Sequence, residues 1–441
     1  MLNIYKAKPK TSLLGKTLTF QIDSADYEVQ GISQYQQKIA FVSGALPGER
    51  VQAQILEDKP GFIKAATVKV LQPSVLRVTA PCHYAAICGG CQLQHLSIQA
   101  QRDLKQQGIA QLIMHQTGLS ALPWQTMLVD DDSSYRRRAR IGIWYDKKQR
   151  RVSVGFRQSG DKHIVAIANC MVLSPLLAPI FTVLNKIIPQ LKDPTAVTHA
   201  EVLQAGEQAF VTLRHTKPLT VDEQQLFIAA WPEAVWLGEA EPSVIHYWQP
   251  EVQPHYYLAE QNLRLEFATD AFIQINAELN QKMVTQALNW LNINANDVVL
   301  DLYAGIGNFT LALAQQAKTV YGIEGVSKMV QQLATNAQLN GLSNVVAFQA
   351  DLHLAWPKAS WNKPIYSKVL LDPARAGAVG AIEQITKLKP QQILYVSCNS
   401  ATFARDAKHL LQNGYRLEKI CGVDMFAHTS HLELMALFSR S

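Results

Sequence analysis

Val298-Val299-Leu300-Asp301-Leu302-Tyr303-Ala304-Gly305-Ile306-Gly307-Asn308-Phe309-Thr310 is the stretch whose reading decides the fold. Its first five residues form an almost unbroken apolar run, the pattern of a strand covered on both faces. Gly305 and Gly307 permit a tight turn, and a helix is expected to follow. Thr319-Val320-Tyr321-Gly322-Ile323-Glu324 repeats the strand pattern and ends in an acid 23 positions after Asp301. That is close to the spacing at which a carboxylate meets ribose hydroxyls in a nucleotide-binding βαβ unit. Ala277 to Leu291 reads as a helix, and further strands are expected at Val345 to Phe348, Val369 to Asp372 and Ile393 to Val396. Tyr415 to Asp424 and His431 to Phe438 read as a closing antiparallel hairpin. The prediction for residues 266–441 is an α/β, Rossmann-like domain. Gly305-x-Gly307-x-x-Thr310 lacks the third glycine of the dinucleotide fingerprint, which leaves the nucleotide open.

The last parallel strand runs into Val396-Ser397-Cys398-Asn399, and Ser400 to Leu411 reads as a helix. A cysteine between strand and helix lies at the sheet edge where open α/β folds keep their active sites. A helix N-terminus there is expected to favour the thiolate.

The chain has 441 residues, enough for two or three domains, and a net charge of +6. Its apolar content of 48% argues against disorder, and no apolar run is long enough to span a bilayer. Met1 to Lys6 lacks the core of a signal peptide, so a cytoplasmic location is expected. In that compartment the six cysteines are read as metal ligands or nucleophiles rather than disulfides. Cys82-x5-Cys88-x2-Cys91 has glycines between its last two thiols, and Cys170 supplies a fourth. Four thiols close a tetrahedral site, and their spacing alone fits zinc or an iron–sulfur cluster. Cys421 lies mid-strand and is read as core.

Residues 11–74 alternate short β-prone runs with Gly/Pro turns, the pattern of a small barrel. Residues 75–265 read as a mixed α+β central domain, with an amphipathic helix from Gln92 to Thr117. Between Ser133 and His163 stand ten Lys/Arg against two Asp/Glu, a net of +8. Tyr135, Trp144, Tyr145 and Phe156 interleave these charges. Cations for phosphates with rings for base stacking point to nucleic acid, and Arg136, Arg138 and Arg140 are the expected contacts.

Three further motifs occur in order. They are Leu371-Asp372-Pro373-Ala374-Arg375-Ala376-Gly377, Tyr395-x-Ser397-Cys398-Asn399-x-x-Thr402 and Val423-Asp424-x-Phe426-x-His428-Thr429-x-His431-Leu432-Glu433. Together with Tyr135-Arg136-x-Arg138-Ala139-Arg140 they resemble the RNA uracil-C5 methyltransferase family, over nearly the whole chain. Asp301 to Gly307 resembles the first motif of S-adenosylmethionine-dependent methyltransferases. Phe41-Val42-Ser43-Gly44-Ala45-Leu46-Pro47-Gly48-Glu49-Arg50-Val51 resembles the TRAM domain, an OB-like RNA-binding barrel. Departures are Ala427, where the family usually has Pro, and Ala304, often Cys. The resemblance implies Cys398 as nucleophile and Glu433 as base, with Asp372 and Arg375 near uracil and cofactor. It implies S-adenosylmethionine at Gln274, Tyr303, Asn308, Glu324, Asp351 and Asp372, and a [4Fe-4S] cluster on Cys82, Cys88, Cys91 and Cys170. Barrel plus cluster resembles the branch that methylates one uridine of 23S ribosomal RNA, expected at position 1939. The same reaction on another RNA such as tRNA, an iron–sulfur redox protein and a non-catalytic RNA-binding module are the alternatives. No membrane and no obligate protein partner are expected.

Overall fold

The computed structural model describes residues 12–356 and 358–440. Thr11 and Ser441, the outer bounds of the expected domains, and the opening Met1 to Lys6 lie outside the described residues. The chain divides into two compact units, one holding the residues up to Pro81 with Gln92–Gln111, the other Cys82–Cys91 with Leu112–Ser441.

The first unit is built on a six-stranded sheet of β1 (Thr17–Gln21), β2 (Ser24–Ala25), β3 (Gly31–Tyr35), β4 (Lys38–Ser43), β5 (Arg50–Asp58) and β6 (Phe62–Gln72), in the order β1-β5-β6-β4-β3-β2. Alternating inward residues such as Val51, Ala53 and Ile55 fill its core. Gly44 (φ +74) and Gly48 (φ +83) take left-handed conformations that a side chain would strain. They turn the chain so that the Glu49 carboxylate points inward. There it accepts from the Leu46 and Ser74 N–H groups and from both donor arms of Arg77. Burial alone would raise Glu49, but these donors outweigh it and hold the carboxyl below its ordinary value. Helix α1 spans Ile98–Thr117. It starts six residues later than expected because Leu93 and Leu96 pack in a turn against Val29 and Leu46.

In the second unit one seven-stranded sheet comprises β7 (Arg138–Asp146), β8 (Arg151–Arg157), β9 (Ile164–Ala166), β10 (Val197–Ala205), β11 (Gln208–His215), β12 (Ala234–Glu241) and β13 (Val244–Tyr247). Helices α2 (Pro179–Ile187) and α3 (Val221–Ala230) share its core. The basic segment is the β7–β8 hairpin, and a short pair, β14 (His255–Leu258) with β15 (Leu263–Glu266), follows the sheet.

A second seven-stranded sheet has the order β18-β17-β16-β19-β20-β22-β21. Its strands are β16 (Val298–Leu302), β17 (Thr319–Glu324), β18 (Val345–Gln349), β19 (Lys368–Leu371), β20 (Gln392–Ser397), β21 (Tyr415–Val423) and β22 (Glu433–Arg440). The accompanying helices are α4 (Ala277–Leu291), α5 (Thr310–Ala314), α6 (Ser327–Leu339), α7 (Ala381–Leu388) and α8 (Ser400–Gln412). β16–β20 are parallel, and β22 inserts antiparallel between β20 and β21. The order reverses at β16, whose neighbours are β17 and β19, so the crevice at the carboxyl ends of these strands is the expected ligand site. No described helix is long and apolar enough to cross a membrane.

Candidate active site

Antiparallel pairing of β20 with β22 brings two distant motifs together. Val396 lies opposite Met435 and Ser397 opposite Leu434. Cys398 follows the last residue of β20 and Glu433 is the first of β22, so the pairing sets both at the same end of the two strands, and the charge of Glu433 bears on the Cys398 thiol. Glu433 is buried, and its Oε2 has no hydrogen-bond partner. A buried carboxylate oxygen without a donor loses its hydration uncompensated. Burial, helped by the charge of Asp372, therefore pushes Glu433 up to about 8. Burial alone pushes Asp372 up to about 7. Both acids rest largely in or near their neutral forms at neutral pH.

Cys398 is partly buried, and burial, then Glu433, then Asp372, push its thiol up to about 11, against the opposing charge of Arg375. This corrects the expectation that the helix N-terminus would favour the thiolate. The helix is present, but the Asn399 side chain already accepts from the Ala401 and Thr402 N–H groups. Burial beside two carboxyls outweighs the dipole. Cys421 is fully buried in β21, as core, and burial pushes it to about 12.

The glycine turn after β16 offers a cradle. Tyr303 holds φ +63, an uncommon conformation for a bulky residue, and its buried hydroxyl has no partner. A Cβ on Gly305 (φ +55) would meet nothing within 4 Å, so the backbone there faces open space. A Cβ on Gly307 would lie 2.6 Å from Leu333, so that glycine serves close helix packing. Glu324 ends β17 and accepts from the Gly305 N–H at 3.0 Å and the Val326 N–H at 2.9 Å, bracing the turn. Asp351 is exposed after β18 and accepts from the His353 N–H. Asn308 is turned into a reciprocal amide pair with Asn280 and accepts from the Tyr256 hydroxyl. An orphaned hydroxyl and open backbone at the end of the first strand fit a small polar nucleoside cofactor.

Gln274 is placed by the arginine motif, a role that charge counting missed. The Arg137 N–H donates to Ile275 O, and its Nε donates to Gln274 O at 2.7 Å. The Arg137 guanidinium is buried 4.7 Å from the Tyr256 ring centroid. Arg138 bonds Ala271 O and pairs with Glu201, and Arg136 lies over the Phe426 ring. Arg140 is exposed beside His199. The freely presented part of the ribbon is the hairpin tip, with Trp144 65% exposed and Lys147, Lys148, Arg150 and Arg151 at the surface. Beside Arg137 lies a cavity of about 500 Å³ lined in part by Tyr135, Arg137, Gln204, Tyr256 and Glu278.

The four expected ligand thiols are each partly buried. Gly89 N–H donates to Arg157 O, and a Cβ there would approach that oxygen to 3.0 Å, so glycine permits the contact. The Tyr84 hydroxyl accepts from the Ala168 N–H, joining the cysteine loop to the segment that carries Cys170. Burial raises Cys88 and Cys170, and neighbouring thiols, Cys82 and Cys170 for the former and Cys82 for the latter, raise them further. The Gly90 N–H donates to Cys88 Sγ. Among the described residues no group of three or more His, Cys, Asp or Glu is arranged to hold a metal ion, so the expected four-thiol centre is not assembled here.

The carboxyl-edge site and the strand order define a methyltransferase-type α/β domain with a thiol and a carboxyl at its substrate end. Residues 98–352 and 359–441 match the tRNA (Uracil-5-)-methyltransferase family, and residues 11–68 match the TRAM domain. The chain belongs to this RNA uracil-C5 methyltransferase family. It is 41% identical over 440 residues, 99% of each chain, to a Vibrio cholerae protein named 23S rRNA (uracil(1939)-C(5))-methyltransferase RlmD. A protein of the same name from Pseudoalteromonas translucida is 41% identical over the whole of both chains. Among solved structures, Pyrococcus abyssi tRNA (uracil-54, C5)-methyltransferase in complex with S-adenosyl-L-homocysteine matches with TM-score 0.74 at 21% identity, over 95% of this chain and 99% of that one. That likeness extends the shared fold through almost all of the molecule.

Proposed function

We propose that this chain transfers a methyl group from S-adenosylmethionine to C5 of one uridine in 23S ribosomal RNA, the residue equivalent to position 1939. The observation that carries the reading is that the β20–β22 pairing sets Cys398 and the buried Glu433, whose Oε2 has no partner, at one end of the two strands. The names and full-length coverage of the relatives support 23S RNA over tRNA. Gln274, Tyr303, Asn308, Glu324, Asp351 and Asp372 are assigned to the cofactor, which when bound supplies an electrophilic methyl.

C5 of uracil is too weakly nucleophilic to take that methyl unaided. The Cys398 thiolate adds to C6, and the C5=C6 electrons move toward O4, giving an enolate with carbanion character at C5. After the new C5–methyl bond forms, Glu433 accepts the C5 proton. The C–H electrons restore C5=C6, the C6–S bond breaks, and the thiolate leaves. Arg375 opposes the charge of the two carboxyls at the sulfur. A duplex-buried uridine must be extruded to reach this edge.

The basic segment is assigned to the RNA backbone through Arg136, Arg138 and Arg140, with the exposed hairpin tip extending the surface. A [4Fe-4S] cluster is assigned to Cys82, Cys88, Cys91 and Cys170. Its support is the all-thiol donor set and the electrostatic nearness of Cys82, Cys88 and Cys170. The test of the central reading uses a ribosomal RNA fragment with 5-fluorouridine at the target. Wild type should form an adduct that survives denaturing electrophoresis, because fluorine cannot leave as a proton. Cys398→Ala should form none. An adduct with that variant, or with tRNA in place of the ribosomal fragment, would overturn the assignment.

A further inference from the structure

The loop from Asp372 to Ala378 carries two of the groups that act on the Cys398 sulfur, and the first turns of α8 grip it. The Asn399 Nδ2 donates to Arg375 O at 3.1 Å, and the Thr402 hydroxyl donates to the same oxygen at 3.4 Å. Arg405 Nη2 donates to Ala376 O at 3.1 Å. Behind these contacts sits Asp406, 2% exposed. Its Oδ2 accepts from the Ala378 N–H and from the Tyr395 hydroxyl, each at 2.8 Å, and its Oδ1 accepts from Arg405 Nε at 2.8 Å. Gly377 (φ +75) completes the fit. A Cβ there would stand 2.6 Å from Arg405 Nη2 and 2.8 Å from both Asp406 Oδ2 and Thr402 Cβ.

One buried carboxylate thus ties three pieces together: the loop at Ala378, the strand that delivers Cys398 through Tyr395, and the Arg405 side chain that holds Ala376. A buried, hydrogen-bonded network of this kind fixes geometry because losing one partner leaves the others unsatisfied. We infer that Asp406 is a positioning residue that holds the Asp372–Ala378 loop against α8 and so fixes the place from which the Arg375 charge acts on Cys398. The inference rests on Cys398 being the nucleophile. Glu433, Asp372 and Arg375 are the charged groups that bear on that thiol. Asp372 and Glu433 oppose its ionisation and Arg375 promotes it, so loosening the loop at Arg375 weakens a favourable charge.

The test is the pH profile of Cys398 alkylation by iodoacetamide in the full chain, followed peptide by peptide without RNA or cofactor. Asp406→Asn keeps the size but presents an N–H₂ group to donors. It should slow Cys398 alkylation about tenfold at fixed pH, the effect of about one unit on the thiol. Gly377→Ala should do the same from the other side of the clamp and provides a second route if Asp406→Asn does not fold. Arg375→Gln should reproduce the shift and add little on top of Asp406→Asn, because both remove one interaction. An unchanged profile in folded Asp406→Asn or Gly377→Ala, with Arg375→Gln shifted, would overturn the inference. So would fully additive shifts. Formation of the 5-fluorouridine adduct by wild type reads the nucleophile separately, so failure of that assignment is distinguishable from failure of the clamp.

Discussion

Glu433→Gln should both strengthen the fold at alkaline pH and stall the reaction after methyl transfer. The carboxyl is buried, its Oε2 lacks a donor, and burial lifts it from 4.5 to about 8. A group whose folded value is raised binds its proton more tightly when folded. Between about pH 4.5 and 8 the folded chain therefore holds more protons than the unfolded chain at this site, and stability falls as pH rises. Over 3.5 units at about 1.36 kcal/mol each, the loss is on the order of 5 kcal/mol by pH 9. Glutamine has no such proton. Urea unfolding at pH 6 and pH 9 should show a smaller loss in Glu433→Gln, while the contributions of Asp301 and Asp372, each raised to about 7, remain in both proteins. With RNA and labelled cofactor, the variant should accumulate a methylated protein–RNA adduct. Equal pH slopes would refute the buried-acid argument, and normal turnover would refute the role of Glu433 as base.

Two further outcomes concern the rest of the second unit. Anaerobically purified protein should be brown, with about four irons and inorganic sulfide per chain; Cys88→Ser should lower soluble yield first, and one zinc without sulfide would reject the cluster. Arg140→Gln, combined with Gln at Lys147 and Lys148, should weaken RNA binding and flatten its salt dependence, whereas Arg138→Gln should also lower the melting temperature through the lost Glu201 pair; an unaltered salt slope in the triple variant would reduce the ribbon to a solvated face.

The parallel sheet was legible because apolar runs covered on both faces have little other use. Ala277–Leu291, Val298–Leu302 and Thr319–Glu324 have the expected bounds. The barrel was harder: Gly31–Tyr35 is a strand with few apolar residues, recruited by pairing with β4 rather than by its own pattern. The Cys398–Glu433 pair was visible only through motif resemblance, since 35 residues separate them and nothing local says that β22 enters between β20 and β21. Charge counting misread part of the arginine motif. It scores Arg137 as a surface cation, yet that guanidinium is buried and its Nε donates to the Gln274 carbonyl, and one donor of Arg138 goes to the Ala271 carbonyl, contacts that depend on long-range folding. Asp406 had no sequence signal beyond its place on a helix face. Its neighbours on the loop arrive from 28 residues away.

The protonation pattern of the site links its cost to its chemistry. A glutamate at its ordinary value is a weak acceptor for the C5 proton, and a general base works best with a pKa near the operating pH. Burial without a donor for Oε2 is what raises Glu433 toward that range, and the same burial destabilises the ionised protein. Donors supplied to Oε2 would stabilise the fold and weaken the base. The thiol follows the converse logic. With Cys398 pushed to about 11, the resting site carries little negative charge next to its carboxyls. A thiol so placed is a poor nucleophile at rest and a good leaving group only if its anion is stabilised when C6–S breaks. Arg375 is a cation whose charge bears on that sulfur, so the loop that holds it bears on both addition and release.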